Sequence, residues 1–237
     1  MNFYSELILN SSSKEYAIVN YHDKLSLISE MSTNADNEMT GNSLDIIKGL
    51  DKIGHGEHII LIYPNLYALR EIYSHYCNIA LKNNELVLIL TYYQTAECIR
   101  QTLKELDIDV EKYEKENDLI IIEDSIETHS GYKEEFLSLL KTLDKQQGKR
   151  GKNGLSVFAD MGVFFHFQNN TDVLIDFESS LPSKFDMNVK RICIYHAGDF
   201  GRFEQYEKDN LIKSHHLQIK VPPKIVGEDQ PTTSVLS

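Results

Sequence analysis

The sequence predicts an α/β protein built on a doubly wound, mainly parallel sheet with helices on both faces. Three observations carry that expectation. Short, continuous apolar runs recur along the chain, such as IILI at 59–62 and LVLIL at 86–90, and runs of that kind read as strands buried on both faces. Segments of helical periodicity separate them. The piece joining the first two runs, LYALREIYSHYCNIALK, is long enough for the helical crossover that parallel strands require.

Taken in order, residues 1–42 differ from the remainder of the chain. They carry Ser11-Ser12-Ser13 and the polar stretch Ser32-Thr33-Asn34-Ala35-Asp36-Asn37, and read as a weakly structured N-terminal extension. The main domain is expected over 43–221. Ser43 is an N-cap for a short helix at 44–53, whose Leu44, Ile47 and Leu50 fall at helical spacing. Gly54 ends it, and Gly56 allows a sharp entry into strand His58–Tyr63. Helix Leu66–Lys82, an Asn83-Asn84 turn and a strand at 85–91 complete the first βαβ unit.

An amphipathic helix is then predicted at 95–106, a short one at 110–116 and a strand at Leu119–Glu123. The stripe Phe136, Leu139, Leu140 and Leu143 predicts a helix over 133–147. Next come a strand at 155–161, a phenylalanine-rich loop (Phe164-Phe165-His166-Phe167), a helix at Thr171–Ser179 and a strand at 190–196. A helix at 203–214 and a strand at 217–221 close the domain, and Pro222-Pro223 begins a flexible tail, 222–237. No internal repeat is visible.

Composition narrows the function classes. Hydrophobic content of 41% is ordinary for a globular chain. A formal charge of −12 argues against general nucleic-acid binding. The run KQQGKRGK at 145–152 reads as a solvated loop between helix and strand. The apolar runs are too short to span a bilayer, and the N-terminus lacks the charge pattern of a secretory signal. A cytoplasmic protein is the expectation. Three widely spaced cysteines, Cys77, Cys98 and Cys193, suit a reducing compartment and form no CxxC.

The phosphate question separates enzyme from sensor. Nucleotide-binding βαβ units carry glycines in the first strand-to-helix turn, where backbone amides cradle phosphate. Here that turn is Tyr63-Pro64-Asn65-Leu66-Tyr67, with no glycine and no Gly-Lys-Ser/Thr. The glycine-bearing segment 148–154 (GKRGKNG) follows a helix and precedes a strand, the reverse of a phosphate loop's order.

Asp160 ends a predicted strand, where open α/β sheets bind ligands. It is either a functional acid or one that orients the next loop, and both readings stand at this point. Tyr63, Tyr195 and His196 end their strands on the same edge, each an apolar body with one polar handle; with Asn65 and Asp160 they form the candidate ligand site. His58 begins its strand at the opposite edge. The adjacent His215 and His216 must diverge on any regular backbone, and His55 and His58 straddle a glycine turn. No metal and no cofactor is expected, and no catalytic residue stands out.

Three segments resemble the MEDS family, the sensory domain named from methanogens, methylotrophs and a dichloromethane-responsive regulator. They are GEHIILIY at 56–63 with its helix, LKNNE at 81–85, and ICIY at 192–195 with Asp199-Phe200 and SHHLQI at 214–219. The likeness covers about 44–221. It implies a RecA-like fold, similar to circadian-clock-type ATPases but with an eroded phosphate loop, and a sensory role beside kinases or DNA-binding segments. By position, His58 and Tyr63 match the family's first-strand motif, Asp160 a commonly acidic position, and His215 and His216 its closing motif. His196-Ala197-Gly198 departs from the family pattern, and no kinase or helix–turn–helix segment is recognisable.

The expected function is therefore a non-catalytic sensor that binds a small molecule or a signalling protein and relays its state to a signalling or transcription component. A homo-oligomer is compatible with this reading; direct nucleic-acid or membrane contact is not expected. The alternative is a degenerate RecA-like nucleotide-binding ATPase that uses Asp160.

Overall fold

The direction in which the chain travels across its sheet decides where each helix packs. In the computed structural model, which describes residues 38–40, 43–123, 132–166 and 171–223, seven strands run parallel in the order β1-β7-β2-β6-β5-β3-β4. They are β1 (Glu38–Thr40), β2 (His58–Tyr63), β3 (Leu86–Thr91), β4 (Leu119–Glu123), β5 (Leu155–Asp160), β6 (Val189–His196) and β7 (Leu217–Lys220). The helices are α1 (Ser43–Leu50), α2 (Leu66–Lys82), α3 (Ala96–Lys104), α4 (Val110–Lys115), α5 (Tyr132–Lys149), α6 (Gly162–His166), α7 (Thr171–Ser179), α8 (Ala197–Phe200) and α9 (Gln205–Ser214).

Parallel crossovers are right-handed. Steps from β1 to β4 run one way along the sheet and those from β4 to β7 run back, so the two sets of helices belong on opposite faces. The packing agrees. Helices α1 to α4 pack in succession and share a core with Ile59, Leu61, Tyr63, Ile192 and Ile194. On the other side α7 packs against α6 and α9, and Phe136 of α5 meets Phe177 of α7. Strands β2, β3 and β5 are buried at every position, as continuous apolar runs sandwiched between two helical layers must be.

The entry to β2 needs its glycine. Gly56 has φ +87°, and a Cβ there would sit 2.9 Å from the Phe185 carbonyl oxygen; Gly56 N–H donates to Val189 O and its own carbonyl accepts from Phe185 N–H. That pins β2 beside β6 before the ladder starts.

The structure corrects several expectations. Glu38–Thr40, inside the predicted extension, pairs with β7 at the sheet edge; the other residues of 1–42, and the tail beyond 223, lie outside the described residues. The phenylalanine-rich stretch is no loop up to His166: Gly162–His166 is helical, with Phe164 and Phe165 buried against α7 and β6. The extra short helix Ala197–Phe200 comes directly after β6. The basic run is not simply solvated, since Lys152 Nζ bonds Asp118 Oδ2 at 2.5 Å and Arg150 bonds Asp118 and the Asn117 carbonyl. It clasps the turn between helix and strand to the turn before β4. Among the described residues no helix is long and apolar enough to cross a membrane.

Candidate functional site

Reversal of travel makes neighbouring strands feed helices on opposite faces at several places, and two of them carry polar strand ends: β2 beside β6, and β3 beside β5. Crevices form beyond the carboxyl ends of strands at such points. At the first, Tyr63 and His196 are register partners, and their rings meet edge to face with centroids 5.4 Å apart. Tyr63 is fully buried, and its hydroxyl has no hydrogen-bond partner. Burial, then the charges of Asp160 and Asp199, holds this phenol neutral well above the usual tyrosine range.

At the second point Asp160 organises backbone. Its Oδ2 accepts from Tyr92 N–H (3.3 Å) and Tyr93 N–H (3.2 Å), and its Oδ1 from Gly162 N–H at 2.9 Å. A buried carboxylate is stabilised by such amides, so the acid fixes the turns after β3 and β5 together. The Tyr93 ring, so placed, spans the two crevices. Its hydroxyl donates to Asp199 Oδ2 and lies 2.6 Å from His166 Nε2, while His166 Nε2 stands 3.2 Å from Asp199 Oδ1. Burial and the Asp199 hydrogen bond push the Tyr93 phenol far up. Tyr93 and His196 rings are 5.9 Å apart.

This edge thus gathers Tyr63, Tyr93, His166, His196 and Asp199, a set of neutral phenols, imidazoles and one carboxylate suited to hydrogen-bonding a small ligand. Two candidates from the sequence serve elsewhere. Asn65 caps α2, its Oδ1 accepting from Ala68 N–H at 3.0 Å. Tyr195 points to the opposite face from His196, as strand alternation demands, and packs against Phe165 and Phe200. His196 Nδ1 accepts from Gly198 N–H and so caps α8. Tyr93 and His166 carry no signal of their own in the sequence, because Tyr93 lies two residues past β3 and His166 ends the five-residue helix α6; Asp199, in a four-residue helix with no period, entered only through the family resemblance.

A second polar cluster lies toward the amino ends of the strands, on the face that carries Cys193. His58, Glu178, Cys193 and His215 are all buried and present ligand-type atoms within 4.8 Å of one another. His58 Nε2 is 3.2 Å from Cys193 Sγ and 3.1 Å from Glu178 Oε2; His215 Nε2 is 3.4 Å from the same Oε2. Arg191 Nη2 donates to Glu178 Oε1 at 2.9 Å, and its guanidinium lies over the rings of Phe136 and Phe177. Burial raises the Glu178 carboxyl, yet the Arg191 charge, with the His58 hydrogen bond behind it, outweighs that and holds the group far below its usual range. Burial, then His58, pushes His215 down to about 3, and burial with Arg191 lowers His58. Both rings are neutral at pH 7. His216 diverges as expected, half-exposed and 3.3 Å from Glu57 Oε1.

The model of one protein family, described as MEDS (MEthanogen/methylotroph, DcmR Sensory domain), matches residues 57–216. A search of curated proteins finds no significant match.

Proposed function

The chain belongs to the MEDS family of sensory domains, and from that premise we propose that it is a non-catalytic signal sensor whose small-molecule site is the carboxyl edge around Tyr63, Tyr93, His196 and Asp199. The observation that carries this is the Tyr63 hydroxyl, buried and without a hydrogen-bond partner at a switch point of the sheet. A buried polar group left unpaired costs free energy, and a ligand that satisfies it recovers that cost. Two nearby carboxylates, Asp160 and Asp199, make the edge anionic. A neutral or cationic ligand with a hydrogen-bonding group suits it better than a phosphate.

The RecA-like fold with an eroded phosphate loop is part of the proposal. Its support is the all-parallel, doubly wound strand order and a β2–α2 turn in which the Asn65 side chain, not a run of glycine amides, caps the helix. The competing ATPase reading would employ Asp160, whose oxygens already accept three backbone amides. A ligand that favours one arrangement of the Tyr93–Asp199 bridge by a few kcal/mol shifts the population, and a partner protein reads the change at α6 and α8.

A thermal-shift screen of small metabolites, with ATP and ADP included, tests this. A hit that raises the melting temperature of the unmutated chain and is lost in Tyr63→Phe supports the site. Nucleotide stabilisation with turnover that Asp160→Asn abolishes would replace the sensor by the ATPase.

A further inference from the structure

We propose that His58, Glu178, Cys193 and His215 form a closed binding site for one divalent transition-metal ion of the zinc class, which ties four separate segments of the domain together. It is independent of the small-molecule reading, since it lies at the other end of the strands.

The spacing fits. Bonds of about 2.0–2.3 Å to nitrogen, oxygen and sulfur in a tetrahedron place the ligand atoms about 3.3–3.8 Å apart. Four of the six observed separations are 3.2 Å for His58 Nε2 to Cys193 Sγ, 3.1 Å and 3.4 Å for the two imidazoles to Glu178 Oε2, and 3.8 Å for Cys193 Sγ to that same oxygen, and the His58–His215 and Cys193–His215 pairs lie within 4.8 Å. Two imidazoles, a thiol and a carboxylate are borderline donors, which select zinc-like ions over magnesium or calcium, whose sites are built from oxygen.

The surroundings orient the donors. His215 Nδ1 lies 2.6 Å from Leu211 O; a carbonyl only accepts, so Nδ1 carries the proton and Nε2 presents its lone pair to the cluster. That lone pair faces the carboxylate oxygen Glu178 Oε2, acceptor against acceptor, and His215 Nε2 has no hydrogen-bond partner. Two acceptors turned toward each other in a dry core repel. A cation between them removes the conflict. Arg191 engages Oε1 of Glu178 and leaves Oε2 to the site, the kind of outer contact that fixes a metal ligand. On binding, the Cys193 thiol forms the metal–sulfur bond and releases its proton to solvent. The ion would join the start of β2, the middle of β6, the end of α7 and the junction of α9 with β7. All four residues fall within the span matched by the family.

The test is cobalt(II) titration of the full-length protein after chelator treatment, monitored by absorption. The expected result is about one cobalt ion per chain, with the intense visible bands of a tetrahedral site and a thiolate-to-cobalt charge-transfer band, both bleached by zinc. Cys193→Ser removes the charge-transfer band, His215→Ala weakens binding at least about tenfold, and the control Cys98→Ser changes neither. If His215→Ala fails to fold, the near-isosteric Cys193→Ser decides, with circular dichroism confirming its fold. A folded chain that takes up no stoichiometric cobalt overturns the proposal, and so does an unchanged spectrum in Cys193→Ser.

Discussion

Arg191 and Glu178 form an ion pair entirely cut off from solvent, Nη2 to Oε1 at 2.9 Å. Breaking a buried pair by removing one partner strands the other charge, at a cost of about 3–5 kcal/mol. Arg191→Met should therefore destabilise the metal-free chain by that order in urea unfolding. Adding Glu178→Gln to it should restore part of the loss, because no buried charge then remains. A double variant weaker than Arg191→Met alone would show that the pair is not what holds α7 to β6.

Asp160 gives a contrasting prediction. Its carboxylate satisfies the amides of Tyr92, Tyr93 and Gly162, and an unpaired buried amide costs about 1–3 kcal/mol. Asp160→Ala should lower stability by several kcal/mol in denaturant titration, with Asp160→Asn between it and the parent. A fully stable Asp160→Ala would return the residue to the functional reading.

The sheet was legible because parallel strands buried on both faces announce themselves as unbroken apolar runs, as at 59–62 and 86–90. The three-residue β1 and four-residue α8 are too short to show a period. The site split for a physical reason. Strand ends could be read, which placed Tyr63 and His196 side by side, but alternation sends Tyr195 to the other face. Beyond the family motif that holds His58 and His215, the cluster has one further signal in the sequence, charge at core positions: Glu178 continues the buried stripe of Leu174 and Phe177, and Arg191 interrupts an apolar strand. Charges at core positions imply each other. Their partners were beyond reach, since His58 and Cys193 lie 135 residues apart.

Thiol chemistry should track burial. Cys98 is half-buried, whereas Cys77 and Cys193 are buried, and burial pushes the Cys77 thiol from 9.0 up to about 12. At pH 8 a thiol reagent should label Cys98 quickly and Cys77 only as the chain unfolds, as read by peptide mass spectrometry. Prompt labelling of Cys77 in the folded chain would contradict its packing.

The same burial fixes the sign of an alkaline effect. Tyr73 is raised from 10.0 to about 12, chiefly by burial, so together with Cys77 it keeps its proton in the folded chain where the unfolded chain has lost it. Above pH 9 the unfolded state binds fewer protons, and stability must fall as pH rises. The contribution is fully present below about pH 9 and is lost progressively toward pH 12. Urea midpoints taken from pH 8 to 11 should decline steadily, and a flat profile would contradict the burial of these groups.

Gly162 tests whether the carboxyl edge works as one unit. Its position beneath the tyrosines leaves no room: a Cβ would lie 2.5 Å from Tyr93 Cε2 and 2.8 Å from Tyr92 Cδ1. Gly162→Ala must push both rings outward, and overpacking of this kind costs about 1–3 kcal/mol. Tyr93 would then lose its hold on Asp199, and the Tyr92 and Tyr93 amides would loosen from Asp160. Hydrogen exchange at 92–93 should quicken, while the amides of α7 and β7, away from these rings, keep their protection. A change confined to Tyr92 and Tyr93 with ligand response intact would separate the bridge from the site; loss of both together is the outcome the geometry predicts.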